Sequence, residues 1–593
     1  MGIPHLLSTL EKLRRPASRS FSSDGGREQL PAAVIDGSAL AHFIFNCCVK
    51  TFRDRTADVL AFDYAAYQRA VVRWLEDLEA GFTITHIFID GHLPSYKTDT
   101  RTSRVQKAVT DLARLRTLSP AAIDLRKSPW TPTPPFLIAA FTDAVYCHER
   151  YRHVVRTVPG EADAFCAGAA SEYQGGEAVI FTADSDLLVY PSKPHVRIAM
   201  LGDMAFEDAE DGRTVKVTLW TPAEIDALLG GDGNLLRFAW VLHHDSLRAA
   251  HITSTFPSAA ASVVKERGKV LGGVLVPPVF QEQYTLPPRE LYFSSTDDTP
   301  PVILDSRAAE VVYRSRSFSS LAHPRSKEAD VTVYLPVLFE DVTKKSAWNV
   351  GLRVRKLAYS ILFDNSTMLS EACRKAAGVT HRYINLSTTA DAGKLADEVA
   401  AVPTLGDTRA VLVYVVSQVI IEHSQAGSPL EKTDILALLA AITHSPSLFE
   451  IPAIPTEEWT WPRVQLLAQV YAGLWSMYLL SVATTVTGNT DSELQQRLAA
   501  MPKMVEALNV RRFMAVYAIM PRVGKKARKR ARKRVKTGEG DEGDDLGRVV
   551  GRLFREGDIQ GVLEILGGQE GGSGDSADDG SGGEDEYMGM TVG

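Results

Sequence analysis

Apolar positions in the first 250 residues fall into short unbroken runs. "AAVIDG" (32–37), "THIFIDG" (85–91), "AVIFTAD" (178–184) and "VRIAML" (196–201) are examples. A strand that is apolar at successive positions has both of its faces buried. Stretches with helical spacing separate the runs, at 58–80, 101–117, 135–152 and 161–173. Strand and helix in alternation predict an α/β fold, with a mainly parallel sheet and helices on both faces.

The pattern changes further along. Residues 251–330 are rich in Pro and Ser and read as an irregular connector. After a strand-like run, "DVTVYLPVLF", come apolar helical segments at 350–364, 390–401, 408–424, 430–443, 463–486 and 491–519. They predict a mostly helical domain over 331–520. One of them, "VQLLAQVYAGLWSMYLLSVATTVTG" (464–488), is uncharged and long enough to span a bilayer. Gln465, Gln469, Ser476 and its threonines lower its hydropathy, and no positive flank sets a topology. It is read as a buried helix of that domain, and no membrane partner is expected. Residues 521–593 carry a basic run, a short amphipathic piece and a Gly/Ser/Asp/Glu tail too poor in apolar surface to fold.

Composition adds bounds. Apolar residues make up 45% and charged residues 23%, values of an ordinary globular chain. The net charge of −7 averages a basic run against an acidic tail. Five scattered cysteines with no CxxC pair argue against a disulfide framework or a zinc module, and for a reducing compartment. The first 30 residues hold no apolar core of signal-peptide length.

The strands end in acids. Asp36 closes the first run and Asp90 the second, while Asp184 and Asp186 follow the third. Ligands of open α/β sheets bind beyond the carboxyl ends of the strands. "VPGEADAFCAG" adds Glu161 and Asp163 at a helix start, and Asp245 ends the apolar stretch "LLRFAWVLHHDSL". A lone Asp after a strand is usually a turn or cap residue. Several acids converging on one crevice are different, because like charges raise each other's pKa and call for a cation. An all-carboxylate set suits Mg²⁺ or Mn²⁺, and two ions about 3.5–4 Å apart suit phosphodiester hydrolysis. If the chain stays extended, Asp184 and Asp186 share one face. Lys97, Arg101 and Arg104 follow Asp90 at i, i+4, i+7 spacing, one face of a helix fit to hold a phosphate.

In their order, "MGIPHLLSTL", "VIDGSALAH", "FIDGHLPSYK", "VPGEADAFCA" and "TADSDLLVY" resemble the motifs of the flap endonuclease/XPG-type nucleases. These have PIN-like α/β domains. The likeness covers about residues 1–250 and is nearest to the asteroid branch, in which such a domain precedes a divergent helical region. It implies that Asp36, Asp90, Glu161, Asp163, Asp184, Asp186 and, with "HHDS" in an altered setting, Asp245 bind metal. It implies catalytic roles for Asp90, Glu161, Lys97 and Arg104, the two cations reaching toward the scissile phosphate. It places Gly2 near the site and His42 where relatives stack a tyrosine on a base. Nucleic-acid contact is thus expected at Gly2, His42, Lys97, Arg101 and Arg104. A glycine-rich helix–two-turn–helix for gripping duplex DNA does not follow Asp245.

Two function classes remain: a divalent-metal nuclease acting on DNA or RNA, and a nuclease-derived scaffold that binds without turnover. The helical region is a candidate surface for protein partners. Ten Lys or Arg within 522–537 read as a nuclear signal, with nuclear and shared cytoplasmic residence expected, and as a second nucleic-acid contact. The acidic tail is placed to shield that run. Deleting residues 570–593 is expected to raise nucleic-acid affinity at low salt in a filter-binding titration; an unchanged affinity removes the shielding idea.

Overall fold

The computed structural model describes residues 3–22, 30–51, 64–118, 133–209, 212–245, 261–289, 305–315, 330–363, 367–386 and 461–487, with isolated positions between 394 and 423. The segments expected at 430–443 and 491–519, nearly all of those at 390–401 and 408–424, the basic run 522–537 and the tail lie outside the described residues.

Through residue 245 the elements are α1 (Leu6–Leu10), β1 (Ala17–Phe21), β2 (Ala32–Asp36), α2 (Gly37–Thr51), α3 (Tyr64–Leu78), β3 (Thr83–Ile89), α4 (Thr98–Arg116), α5 (Leu137–Tyr146), β4 (Val155–Thr157), α6 (Ala162–Glu172), β5 (Ala178–Thr182), β6 (Val196–Ala209), β7 (Gly212–Trp220), α7 (Pro222–Leu228) and α8 (Asn234–His244). Beyond it come α9 (Ala261–Gly272), α10 (Pro278–Gln283), α11 (Ser306–Arg314), β8 (Asp330–Tyr334), α12 (Leu352–Leu362), β9 (Met368–Lys375), β10 (Gly378–Ile384) and α13 (Trp461–Thr487).

The main sheet has the order β1-β7-β6-β5-β2-β3-β4. Its central strands β6, β5, β2, β3 and β4 are parallel, and β7 and β1 extend it antiparallel. The unbroken apolar runs are explained by two cores, one on each face. In β2, Ala33 and Ile35 enter one core while Ala32 and Val34 enter the other. Val179 and Phe181 of β5 divide from Ala178 and Ile180 in the same way. This is the period-2 geometry of a strand applied to a sheet covered on both sides. Helices α2, α3 and α5 cover the first face, and α1, α6 and α8 the second.

The expected α/β architecture of 1–250 is the one observed. The rest differs from the sequence reading. Residues 251–330 hold α9, α10 and α11 where an irregular connector was expected. Helix α11 is short but strongly amphipathic, with Ala308, Ala309, Val311, Val312 and Tyr313 buried and Asp305 capping the amides of Arg307 and Ala308. In 331–520, read as mostly helical after a strand-like run, that run contains β8, and the unexpected β9 and β10 join it in a second, three-stranded sheet. Charged residues hid β9: Glu371 and Arg374 look solvent-facing in "MLSEACRK" but are buried and paired.

Helix α13 carries no charge after Arg463, and 94% of its most apolar window is buried. Its polar positions have partners. The Gln465 amide accepts from the Asp341 N–H at 2.9 Å and donates to the Lys345 carbonyl at 3.2 Å. Ser476 accepts from Arg355 at 2.9 Å. Helices α11, α12 and α13 add to the core on the α3 and α5 side of the main sheet, so no boundary near 250 or 330 separates two packing units.

The centre of this second half is ionic. Arg355 and Glu371 are fully buried and joined at 2.6 Å, with Arg382 and the Tyr359 hydroxyl also on the Glu371 carboxylate. Burial would raise the Glu371 pKa, but the two guanidinium groups outweigh it and hold it down at about 2. Removing one partner strands a buried charge. Glu371→Ala is therefore expected to lose about 3–5 kcal/mol of stability in urea unfolding. A double change of Arg355 and Glu371 to apolar residues is expected to lose less.

Candidate functional site

Register delivers the acids to one edge. Asp36 of β2 stands opposite Phe88 of β3, and Ile35 opposite Phe181 of β5. Asp90 and Asp184 then lie just past the ends of the flanking strands. The glycine after each of the first two acids is a packing requirement. A Cβ on Gly37 would run into Ile89, and one on Gly91 would run into the Val158 carbonyl and the Tyr313 ring.

Four of the carboxylates are aimed by hydrogen bonds donated from backbone amides or Thr182. Asp36 accepts from the Ala39 N–H and from the Thr182 hydroxyl, both at 2.9 Å. Asp90 accepts from the Ala162 N–H at 2.8 Å and so caps the start of α6. That start also carries Glu161 and Asp163, whose charges suit a helix N-terminus. Asp184 and Asp186 do not extend β5 as a strand would. Residues Ser185–Val189 wind into a 3₁₀ turn, and Asp184 caps it by accepting from the Asp186 N–H at 3.0 Å. Asp186 is aimed by a different element, accepting from the Ile3 N–H at 2.7 Å.

The electrostatics show that the acids share a field. Burial first, then Asp90, pushes Asp36 up from 3.8 to about 7. Asp163 is raised well above its ordinary value by burial, then by Asp36, Asp184, Glu161 and Asp90. Burial and Asp184 lift Asp186 to about 6. Burial also raises Glu161, against the pull of Lys97. The structure thus gathers Asp36, Asp90, Glu161, Asp163, Asp184 and Asp186 at one sheet edge. Asp245 is exposed at the C-terminal end of α8.

The cations divide. Lys97 Nζ sits 2.6 Å from Glu161 and partly neutralises the cluster. Burial would lower its pKa, yet Glu161 and Asp163 raise it. Arg101 turns to Glu310 on α11, at 2.8 Å, and lies over the Tyr334 ring. Arg104 is exposed and makes no ion pair among the described residues. His42 on α2 lies near enough to Asp90 and Arg104 to feel both charges. Gly2 lies outside the described residues.

A metal fits this donor set by chemistry: hard oxygens, mutually repelling, with too few cations. A closed cage is not preformed, since among the described residues no three His, Cys, Asp or Glu side chains already group around one ion position.

Sequence reading missed the neighbour of the acids. A pocket of about 280 Å³ is lined by Glu161, Asp163 and Asp186 together with Tyr190, Trp240, Phe280 and Tyr284. Tyr96, Lys97 and the pair His243–His244 also reach it. Two of these aromatics come from 277–284, the stretch taken for connector. The Pro-Pro at 277–278 is the available signal, since proline favours a helix start.

Residues 133–386 match a family model described as XPG domain containing. That region is similar to XPG domains. Among solved structures, the catalytic core of Rad2 in complex with a DNA substrate aligns at 14% identity and a TM-score of 0.28, covering 55% of this chain and 95% of that one. No curated protein matches.

The raised Asp36 has a consequence for stability. Folded Asp36 keeps its proton up to about 7, whereas an unfolded aspartate releases it near 3.8. Between those values the folded state binds more protons, so stability falls as pH rises. In chelator, the melting temperature is expected to be lower at about pH 8 than at about pH 5, and Asp36→Asn should shrink the gap by a few degrees. Calorimetry across that window checks the sign.

Proposed function

We propose that this protein is a divalent-metal-dependent nuclease that hydrolyses phosphodiester bonds in DNA or RNA, of the asteroid branch of XPG-like proteins. The observation that carries the reading is the convergence of six carboxylates at the sheet edge, with Asp36 lifted to about 7 by burial and by Asp90. Such repulsion has no structural benefit by itself and is relieved by hard cations.

Asp36, Asp90, Glu161, Asp163, Asp184 and Asp186 are the residues that would hold Mg²⁺ or Mn²⁺. The chemistry such a pair of ions would supply when bound is activation of a water and neutralisation of charge at the leaving oxygen. The chain's own residues do the rest. Thr182 and the Ala39, Ala162, Asp186 and Ile3 amides aim four of the carboxylates at this edge, and their side chains would close around an ion from there. Arg104, unpaired among the described residues, is available to a phosphate. Lys97 reaches a phosphate on leaving Glu161, which then recovers its full charge for a cation. Asp245 caps α8 next to His243 and His244, which line the same pocket as Glu161, Asp163 and Asp186. The nuclear role rests on the basic run 522–537.

The second reading is a scaffold of the same fold that binds nucleic acid or protein partners without turnover. The lack of a preformed ion position among the described residues favours it.

Cleavage assays separate the two. Purified protein is incubated with labelled flap, hairpin and single-stranded DNA and RNA, with Mn²⁺, Mg²⁺ or chelator. Metal-dependent cutting should fall by about 10²-fold or more in Asp90→Asn and Asp184→Asn, and substantially in Lys97→Ala. Binding without cutting, unchanged in these variants, overturns the enzyme and leaves the scaffold.

A further inference from the structure

Charge is sorted by depth in the second half of the chain. Within 331–386 the described carboxylates are Glu340, Asp341 and Glu371, and all three are buried. Each is held by an arginine: Glu340 by Arg374 and Asp341 by Arg116, both at 2.7 Å, and Glu371 by Arg355 at 2.6 Å. Lysine is left outside. Lys344, Lys345 and Lys375 are exposed and make no ion pair among the described residues. Exposed lysines elsewhere, such as Lys193, Lys216 and Lys269, lie on Glu172, Glu207 and Glu266.

The backbone brings these three lysines to one corner and adds a fourth. Strands β9 and β10 are joined by the turn Ala376–Ala377. Arg374 donates to the Ala376 carbonyl at 3.2 Å and to the Lys344 carbonyl at 3.1 Å, so one guanidinium ties the turn to 344–345. Gln106 of α4 donates to the Ala377 carbonyl at 3.4 Å and carries its neighbour Lys107, also exposed, to the same corner. Asp111, one turn further along α4, is taken by Arg114 at 3.2 Å. Helix α4 starts after Lys97 and bears the exposed Arg104, so cations continue from the acidic edge to the corner. From Lys97 to Lys107 the helical rise gives roughly 15 Å, about four or five phosphates of one strand.

We propose that this corner, formed by Lys107, Lys344, Lys345 and Lys375, is a docking surface for the sugar–phosphate backbone of a nucleic acid. It deepens the reading of the acidic edge as a nucleic-acid site and rests on that reading only for where the strand begins. Ammonium groups of one sign on a surface to which 331–386 contributes no described carboxylate repel one another, and a polyanion relieves that repulsion. Lysine is a point charge on a flexible stem, without the planar fork that reads a base edge, so the hold is on charge and not on sequence. The order of cations along α4 favours a nucleic acid over other polyanions, since one strand can pass both the acids and the corner.

The test uses the full-length protein in chelator, so that binding is read without cutting. Labelled single strand and duplex of about 30 nucleotides per strand are titrated from about 50 to 200 mM salt. Lys107→Gln, Lys344→Gln, Lys345→Gln and Lys375→Gln together should lower the slope of log affinity against log salt by about 3 on single strand, and by between about 3 and 4 on duplex. Arginine at the same four positions should keep the slope. Lys193→Gln, Lys216→Gln and Lys269→Gln remove charge elsewhere and should leave it as it is. A slope unmoved by the four glutamines, or lowered as much per charge by the three control exchanges, overturns the proposal. So does sedimentation with vesicles of phosphatidylcholine and phosphatidylserine that depends on the four lysines while the nucleic-acid slope does not. The arginine variant separates lost charge from a folding defect. Cutting in metal with an unmoved slope sinks the corner and leaves the nuclease. A lowered slope without cutting sinks the nuclease and leaves the corner.

Discussion

Mutual repulsion among the carboxylates at the end of β2, β3, β5 and the start of α6 is the constraint from which the rest of the structure follows. Folding places these groups within one field, and burial adds to the difficulty of ionising them. What holds them there is backbone. Amides of Ala39, Ala162, Asp186 and Ile3 donate to four of the acids, and the Thr182 hydroxyl donates to Asp36 while accepting from the Asp184 N–H. Amide donors favour the charged form, whereas burial and neighbouring charge favour the neutral one. The balance leaves Asp36 near neutrality, where its proton is readily exchanged for a cation.

The second half of the chain acts on this edge through α4. Arg101 is tied to Glu310 of α11, Arg116 to Asp341 at 2.7 Å, and Thr102 to the Tyr334 hydroxyl at 3.1 Å. Val105 packs against Tyr334 and Ala372. Helix α4, which follows Lys97 and carries Arg104, is thus anchored along its length by residues more than two hundred positions away. That anchoring also explains Arg101. Its place on the face shared with Lys97 and Arg104 is a matter of spacing, but Glu310 is buried and offers a dry partner that a solvent-exposed phosphate site does not.

How much of this was legible in the sequence varies with the kind of signal. Unbroken apolar runs ending in acids identify strands buried on both faces, and the observed sheet has that form. The acid cluster was legible because strand-end acids and parallel register are one geometric rule. The 3₁₀ turn at Ser185–Val189 was not, because a local cap by Asp184 overrides the extended reading. Strand β9 was hidden by Glu371 and Arg374, which are polar by type and buried through pairing. Pairing of that kind depends on Arg355 and Glu340, distant in sequence, and leaves no periodic trace. The aromatic wall was invisible for a related reason. Phe280 and Tyr284 stand i, i+4 on α10 and its cap, but Tyr190 and Trp240 come from other elements, so no single spacing joins the four.

Acids and aromatics then divide a single crevice by the physics of burial. An ionic wall cannot hold an anion close without a cation, and an aromatic wall cannot hold one well at any time. A neutral ring is welcome at the second and tolerated beside the first. Lys97 lines the pocket while bound to Glu161. Its ammonium offsets part of the repulsion among the acids only while it stays on Glu161, so any group that draws it away leaves the acids in greater need of a cation.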